Sequence, residues 1–226
     1  MATCKNCGHM GNEKFCPECG EQLVLDRPSL KGLAGEAVHT FTHFDGGFFY
    51  TLKQLAIRPG AMQLQYLTGP RKQFHKPFSM FAICASFCAI GLYFIYKPSH
   101  DDVQQVFYKS YYAFAQTAMI PVYAFTTWIL FNPGKWYYGE CLILIIYMLA
   151  FITLLIIPVN LLQFVLPNGP LTLIELSIFS IYTVWTYLNF FKGQRLWIVL
   201  KSLLNIGLNF ALFQILANQI IKWLMH

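Results

Sequence analysis

Two C-x2-C pairs stand near the start of the chain, Cys4-Lys5-Asn6-Cys7 and Cys16-Pro17-Glu18-Cys19, with eight residues between them. Each pair can form a tight turn that aims two thiolates at one ion, and four sulfurs then close a tetrahedral shell around Zn²⁺. Gly8 and Gly20 follow the pairs. At such knuckles the backbone turns back toward sulfur and φ goes positive, a conformation glycine adopts without steric cost. The spacing predicts a structural zinc ribbon over residues 1–24, with Cys4, Cys7, Cys16 and Cys19 as ligands and Zn²⁺ as a structural cofactor. The competing reading is a pair of redox dithiols. With four protein ligands no coordination position is left for a substrate, and coupled metal binding explains how so short a segment could fold. Lys5 and Lys14 stand against Glu13, Glu18 and Glu21. The segment is therefore not basic, and nucleic acid is not an expected partner.

A second cluster is chemically denser and less specific. Glu36, His39 and His43 fall at steps of three and four residues, which puts them on one helical face, and Asp45 follows. An acid with two histidines can bind zinc or iron, or run general acid–base chemistry. The same groups can also sit at lipid-headgroup level, capping a bend and bonding backbone or phosphate. The spacing is E-x2-H-x3-H, not the HExxH of zinc proteases. A third cluster, Arg71, Lys72, His75 and Lys76, stands immediately before the first long apolar run. Juxtamembrane cations attract anionic lipid at about 1 kcal/mol each, so these four residues are read as headgroup contacts.

These groups need elements to hold them. Apolar residues recur with helical period at Leu30, Leu33, Ala37, Phe41, Phe44 and Phe48, with a start signal at Pro28-Ser29 and a break at Gly46-Gly47. "FFYTLKQLAI" predicts a second helix, ended by Arg58-Pro59-Gly60, and "AMQLQYLT" a third, ended by Gly69-Pro70. Three short, aromatic-rich amphipathic helices over residues 25–76 suit the plane of a bilayer interface.

Residues 77–226 read as a transmembrane domain. The chain is 56% hydrophobic and only 12% charged, which excludes an ordinary soluble domain. Spans are expected over about 78–96, 111–131, 140–165, 171–191 and 196–223. Pro121 is expected to kink the second span, which could also be a broken or re-entrant helix. With the N-terminus inside, twelve cations lie on the cytoplasmic side and three on the other, with Lys201 inside the fifth span left out. This obeys the positive-inside rule. The fold class is thus an all-α polytopic membrane protein of about five transmembrane helices, with a small N-terminal Cys4 zinc ribbon and interfacial amphipathic helices. No signal-peptide pattern follows Met1, so a cytoplasmic N-terminus is expected.

Several polar groups fall inside the spans. Glu140 is expected to snorkel or to pair with Lys135. Glu175, one turn into the fourth span, is either a functional acid or a solvated interfacial one. Ser202, Asn205 and Asn209 share one face of the fifth span, and Gly207, Ala211, Gln214 and Asn218 the opposite one. A helix polar on two sides is expected to be enclosed, by its own bundle or by a partner. Cys84, Cys88 and Cys141 read as packing residues.

The string "HTFTHFDGGFFYTLKQLAIRPG", then "YLTGPRKQFHKPFSM", behind a four-cysteine segment, resembles the DUF3667 family of membrane proteins. The pattern is H-x3-H-F-D-x-G-F, an R-P-G turn, Y-x-x-G-x-R and K-P-F. "YYGE" at Tyr137–Glu140 resembles that family's aromatic-plus-Glu start to a spanning helix. The resemblance implies a multi-pass inner-membrane protein of Bacteroidetes-type bacteria and supplies no activity. Three functions stay open: a non-catalytic scaffold or assembly subunit that docks a protein partner or a second copy; an interfacial enzyme using Glu36, His39, His43 and Asp45; and a small transporter or channel subunit.

Overall fold

The computed structural model describes residues 2–4, 6–11, 14–20, 23, 47–95, 103–131, 135–164 and 171–224. The expected first amphipathic helix, with Glu36, His39, His43 and Asp45, lies outside the described residues.

A two-stranded antiparallel hairpin opens the chain, β1 (Ala2–Thr3) against β2 (Met10–Gly11), with Ala2 opposite Gly11 and Thr3 opposite Met10. Seven α-helices follow among the described residues: α1 (Phe48–Ile57), α2 (Ala61–Thr68), α3 (Pro77–Ile95), α4 (Val103–Phe131), α5 (Tyr138–Leu161), α6 (Leu171–Phe190) and α7 (Arg195–Leu224). Glycine and proline set the breaks: Gly47 precedes α1, Arg58-Pro59-Gly60 separates α1 from α2, and Gly69-Pro70 ends α2. Both short helices take the bounds their sequence predicts.

Among the described residues, four helices are long and apolar enough to cross a membrane: α3, α5, α6 and the Arg195–Gln219 part of α7. Five spans were expected. The expected second span, over 111–131, falls in α4, a continuous 29-residue helix whose described apolar stretch, Thr117–Phe131, is shorter than the other four. α4 begins at Val103, eight residues before the expected start of that span. Pro121 lies inside α4 without ending it, and its carbonyl accepts a hydrogen bond from the Tyr138 hydroxyl at 3.1 Å.

The central element is α5. Its residues from Gly139 to Ala150 are all buried, as expected of a helix that is apolar all round. It packs against α3, α4 and α6, and α1 and α2 lie against it as well. The outer helices expose apolar side chains that a bilayer would cover, including Phe87 and Phe94 of α3, Ile181 of α6, and Leu203 and Leu204 of α7.

In lipid, helix association relies on close packing and interhelical hydrogen bonds. Here the bonds form a ladder between α4, α6 and α7. Asn209 Nδ2 donates to Asn205 Oδ1 (2.6 Å), Asn205 Nδ2 to Thr127 Oγ1 (3.3 Å), and Thr126 Oγ1 to Asn209 Oδ1 (2.8 Å). Thr127 Oγ1 also pairs with the Tyr187 hydroxyl at 2.8 Å. One polar face of α7 is therefore enclosed by its own bundle. Among the described residues the opposite face is open, with Gly207, Ala211 and Asn218 exposed, which leaves a partner as the expected cover for that face. Asn205→Leu should lower the unfolding free energy in mixed micelles by about 1–2 kcal/mol, against less than about 0.5 kcal/mol for Asn218→Leu. Equal effects would contradict the ladder.

Candidate metal centre and the platform beneath it

The Sγ atoms of Cys4, Cys7, Cys16 and Cys19 all lie within 4.8 Å of one another. The closest pairs are Cys7–Cys16 at 3.4 Å and Cys4–Cys19 at 3.5 Å. Four sulfurs about 2.3 Å from a shared tetrahedral ion would be separated by little under 4 Å, so the cluster fits a metal. Both knuckles close by backbone bonds, Gly8 N–H to Cys4 O (2.9 Å) and Gly20 N–H to Cys16 O (2.8 Å), while Cys4 N–H donates to His9 O (2.7 Å). Gly8 and Gly20 take φ of 80° and 70°, the conformation foreseen for them. Leu23 is buried against the cysteines, and its N–H donates to Lys14 O at 3.0 Å. The His9 backbone amide draws the Cys7 thiol pKa down. Hydrogen bonds from Cys16, Cys19 and Cys4, with burial, outweigh it and push the value up to about 12. Four cysteine sulfurs gathered this closely are the donor set of a metal site, and a bound cation would hold them as thiolates.

Beneath the cluster, α1, α2 and the turn at residues 69–76 form a platform on α5 and α6. The first α1 seam is at Gly47, where an added Cβ would lie 3.0 Å from Gln73 O and 3.2 Å from His75 N. Thr51 Oγ1 accepts the His75 N–H at 2.8 Å and donates to Gly47 O at 2.8 Å. The Tyr147 hydroxyl, in the middle of α5, donates to His75 O at 2.5 Å. The second seam is at Gly60, whose φ is 80°. Its N–H donates to Gln63 Oε1 at 2.5 Å, and the turn lies directly on the backbone of α6. Close by, the Tyr182 hydroxyl of α6 donates to Leu55 O at 3.0 Å.

The basic cluster divides in two. His75 is only 2% exposed and stands edge-on to Phe48, with ring centroids 5.8 Å apart. Its expected place at a lipid headgroup is corrected, because the residue forms the inward side of the turn. Arg71 is half-buried; its Nε donates to Tyr66 O at 3.2 Å, and its guanidinium carbon lies 5.6 Å from the Tyr66 ring centroid. Lys76 is exposed. Lys72 is exposed too, and its ammonium donates to the Cys19 carbonyl.

The two intramembrane acids also take definite places. Glu140 is buried and accepts the Tyr137 N–H at 2.9 Å, capping the start of α5. The pairing with Lys135 is thus replaced by a backbone bond, which the glutamate's position three residues into the helix favours. Asn160 of α5 donates to the Glu175 carboxylate of α6 and to Ile156 O at 3.0 Å, joining the two helices.

Among the described residues, the architecture is that of a helical protein with four helices long and apolar enough to cross a membrane and an N-terminal four-cysteine cluster fit to hold a metal. Residues 45–88 match the family DUF3667, described as a protein of unknown function, which bears out the resemblance at those residues. The match covers α1, α2, the 69–76 turn and much of α3, so it falls on the platform. No curated protein and no solved structure matches the chain. Tyr147, Tyr182 and the Lys72–Cys19 bond carry the platform without having been foreseen. No local pattern signals them, because their partners are 72, 127 and 53 residues distant.

Proposed function

We propose that this chain is a multi-pass protein of the bacterial inner membrane that serves as a non-catalytic scaffold or assembly subunit. In this reading Cys4, Cys7, Cys16 and Cys19 bind one structural Zn²⁺, and the zinc ribbon docks a cytoplasmic partner protein above the platform. The carrying observation is the four-sulfur cluster. An all-cysteine donor set suits borderline-soft Zn²⁺ and leaves no open position for chemistry. The bias of cations toward the N-terminal side supports a cytoplasmic N-terminus. Arg71, Lys72 and Lys76 place positive charge just before α3, which supports contact with anionic headgroups.

The test is affinity capture of the full chain from mild detergent, in parallel with Cys16→Ser. A stoichiometric partner, held by the parent chain and lost with the ribbon, is the expected result. The same partner at the same stoichiometry on Cys16→Ser would contradict docking through the ribbon. A second bound metal, lost in a His39→Ala, His43→Ala double variant, would favour the enzyme reading instead.

A further inference from the structure

Among the described residues, Lys72 joins the turn that leads into α3 to the four-cysteine cluster. The Lys72 ammonium donates to the carbonyl of Cys19, a contact between residues 53 apart in sequence. The second knuckle is shaped to admit it. Gly20, at φ 70°, has no side chain there, and a Cβ on it would stand 3.3 Å from Lys72 Nζ. The base of Lys72 is anchored on both sides. Arg71 is bonded to Tyr66 O, Phe74 N–H donates to Arg71 O at 3.0 Å, and Phe74 is buried. Charge favours the same contact. Four thiolates around a divalent ion carry a formal charge of about −2, and Lys72 is a cation held at the second knuckle.

We propose that Lys72 is a metal-dependent latch. With metal in the four-cysteine site, the second knuckle holds the Cys19 carbonyl toward the turn and the N-terminal module is fastened to the start of α3. Without metal the knuckle loses the ligand bonds that shape it, and Lys72 is released. This rests on the metal reading given under the proposed function and adds to it a route from metal state to the first membrane-crossing helix. Because the linkage is reciprocal, loss of the lysine must also weaken retention of the metal.

The experiment uses the full chain in detergent micelles, loaded with Zn²⁺ and then stripped with a chelator. Acylation of Lys72 by an amine-reactive reagent is followed by mass spectrometry, with exposed Lys76 as internal reference. A surface charge-assisted bond shifts such a ratio by up to about fivefold. Lys72 should therefore react about fivefold more slowly in the loaded protein than in the stripped one, while Lys76 changes little. Lys72→Met should release Zn²⁺ to a chelator about fivefold faster than the parent chain, with Lys72→Arg near the parent rate and Lys76→Met unchanged. Equal Lys72 reactivity with and without metal, or equal release from Lys72→Met and Lys76→Met, overturns the latch. A chain that takes up no Zn²⁺ overturns the metal reading itself, and metal analysis shows this before any labelling.

Discussion

Gly60→Ala should destabilise the chain by about 3–5 kcal/mol and lower its unfolding midpoint in detergent by about 10 °C. Two costs combine at this position. The backbone sits at φ 80°, where any residue with a Cβ is strained. The added Cβ would also lie 2.1 Å from Thr186 O and 2.9 Å from Phe190 N, both backbone atoms of α6 that cannot rotate away. The α1–α2 turn would have to lift from α6, and the Tyr182 bond to Leu55 O stretches with it. Gly8→Ala is the matched control. It shares the φ of 80° but has no atom within 4 Å of the new Cβ, so it should cost only about 1 kcal/mol, confined to the N-terminal module. Equal effects of the two substitutions would show that the close approach to α6 contributes nothing.

Cys16→Ser should abolish metal binding by the N-terminal module while leaving the unfolding of the helical bundle within about 1 °C of the parent. The asymmetry follows from how little else holds the module. Its described core is Cys4, Cys16 and Leu23, with Cys19 packed against them, and its strands are two residues each. Apolar burial on that scale cannot offset chain entropy. Structural zinc sites supply roughly 10–16 kcal/mol in small modules, so a metal bound by these cysteines would decide whether this one folds. Proteolysis of the loaded, chelated and Cys16→Ser chains checks the point. Cleavage within residues 1–24 should be rapid in the last two and slow in the first. Equal cleavage in all three would mean that metal does not order the module.

The parts of this fold legible in the sequence are those fixed by local chemistry. The two cysteine pairs announce a cluster because the knuckle needs only near neighbours, and Gly8 and Gly20 take the positive φ their positions call for. The bounds of α1 and α2 follow from Gly47, the Arg58-Pro59-Gly60 turn and Gly69-Pro70, which punctuate whatever they flank. What the sequence hides is set by partners far along the chain. "RKQFHK" reads as one basic cluster, yet Thr51 and Tyr147, 24 and 72 residues away, turn His75 inward, while Lys72 and Lys76 stay exposed. The two polar faces of α7 look alike in sequence, and only the positions of Thr126 and Thr127 on α4 decide which one is buried. Glu140 could have been read correctly, since a glutamate three residues beyond a helix boundary is a capping signal.

The most direct test is metal analysis of the purified full chain joined to X-ray absorption at the metal edge. The account predicts one zinc per chain, bound by four sulfurs at about 2.3 Å. A chain with no bound metal, or a shell containing nitrogen or oxygen in place of one of the four sulfurs, would contradict it.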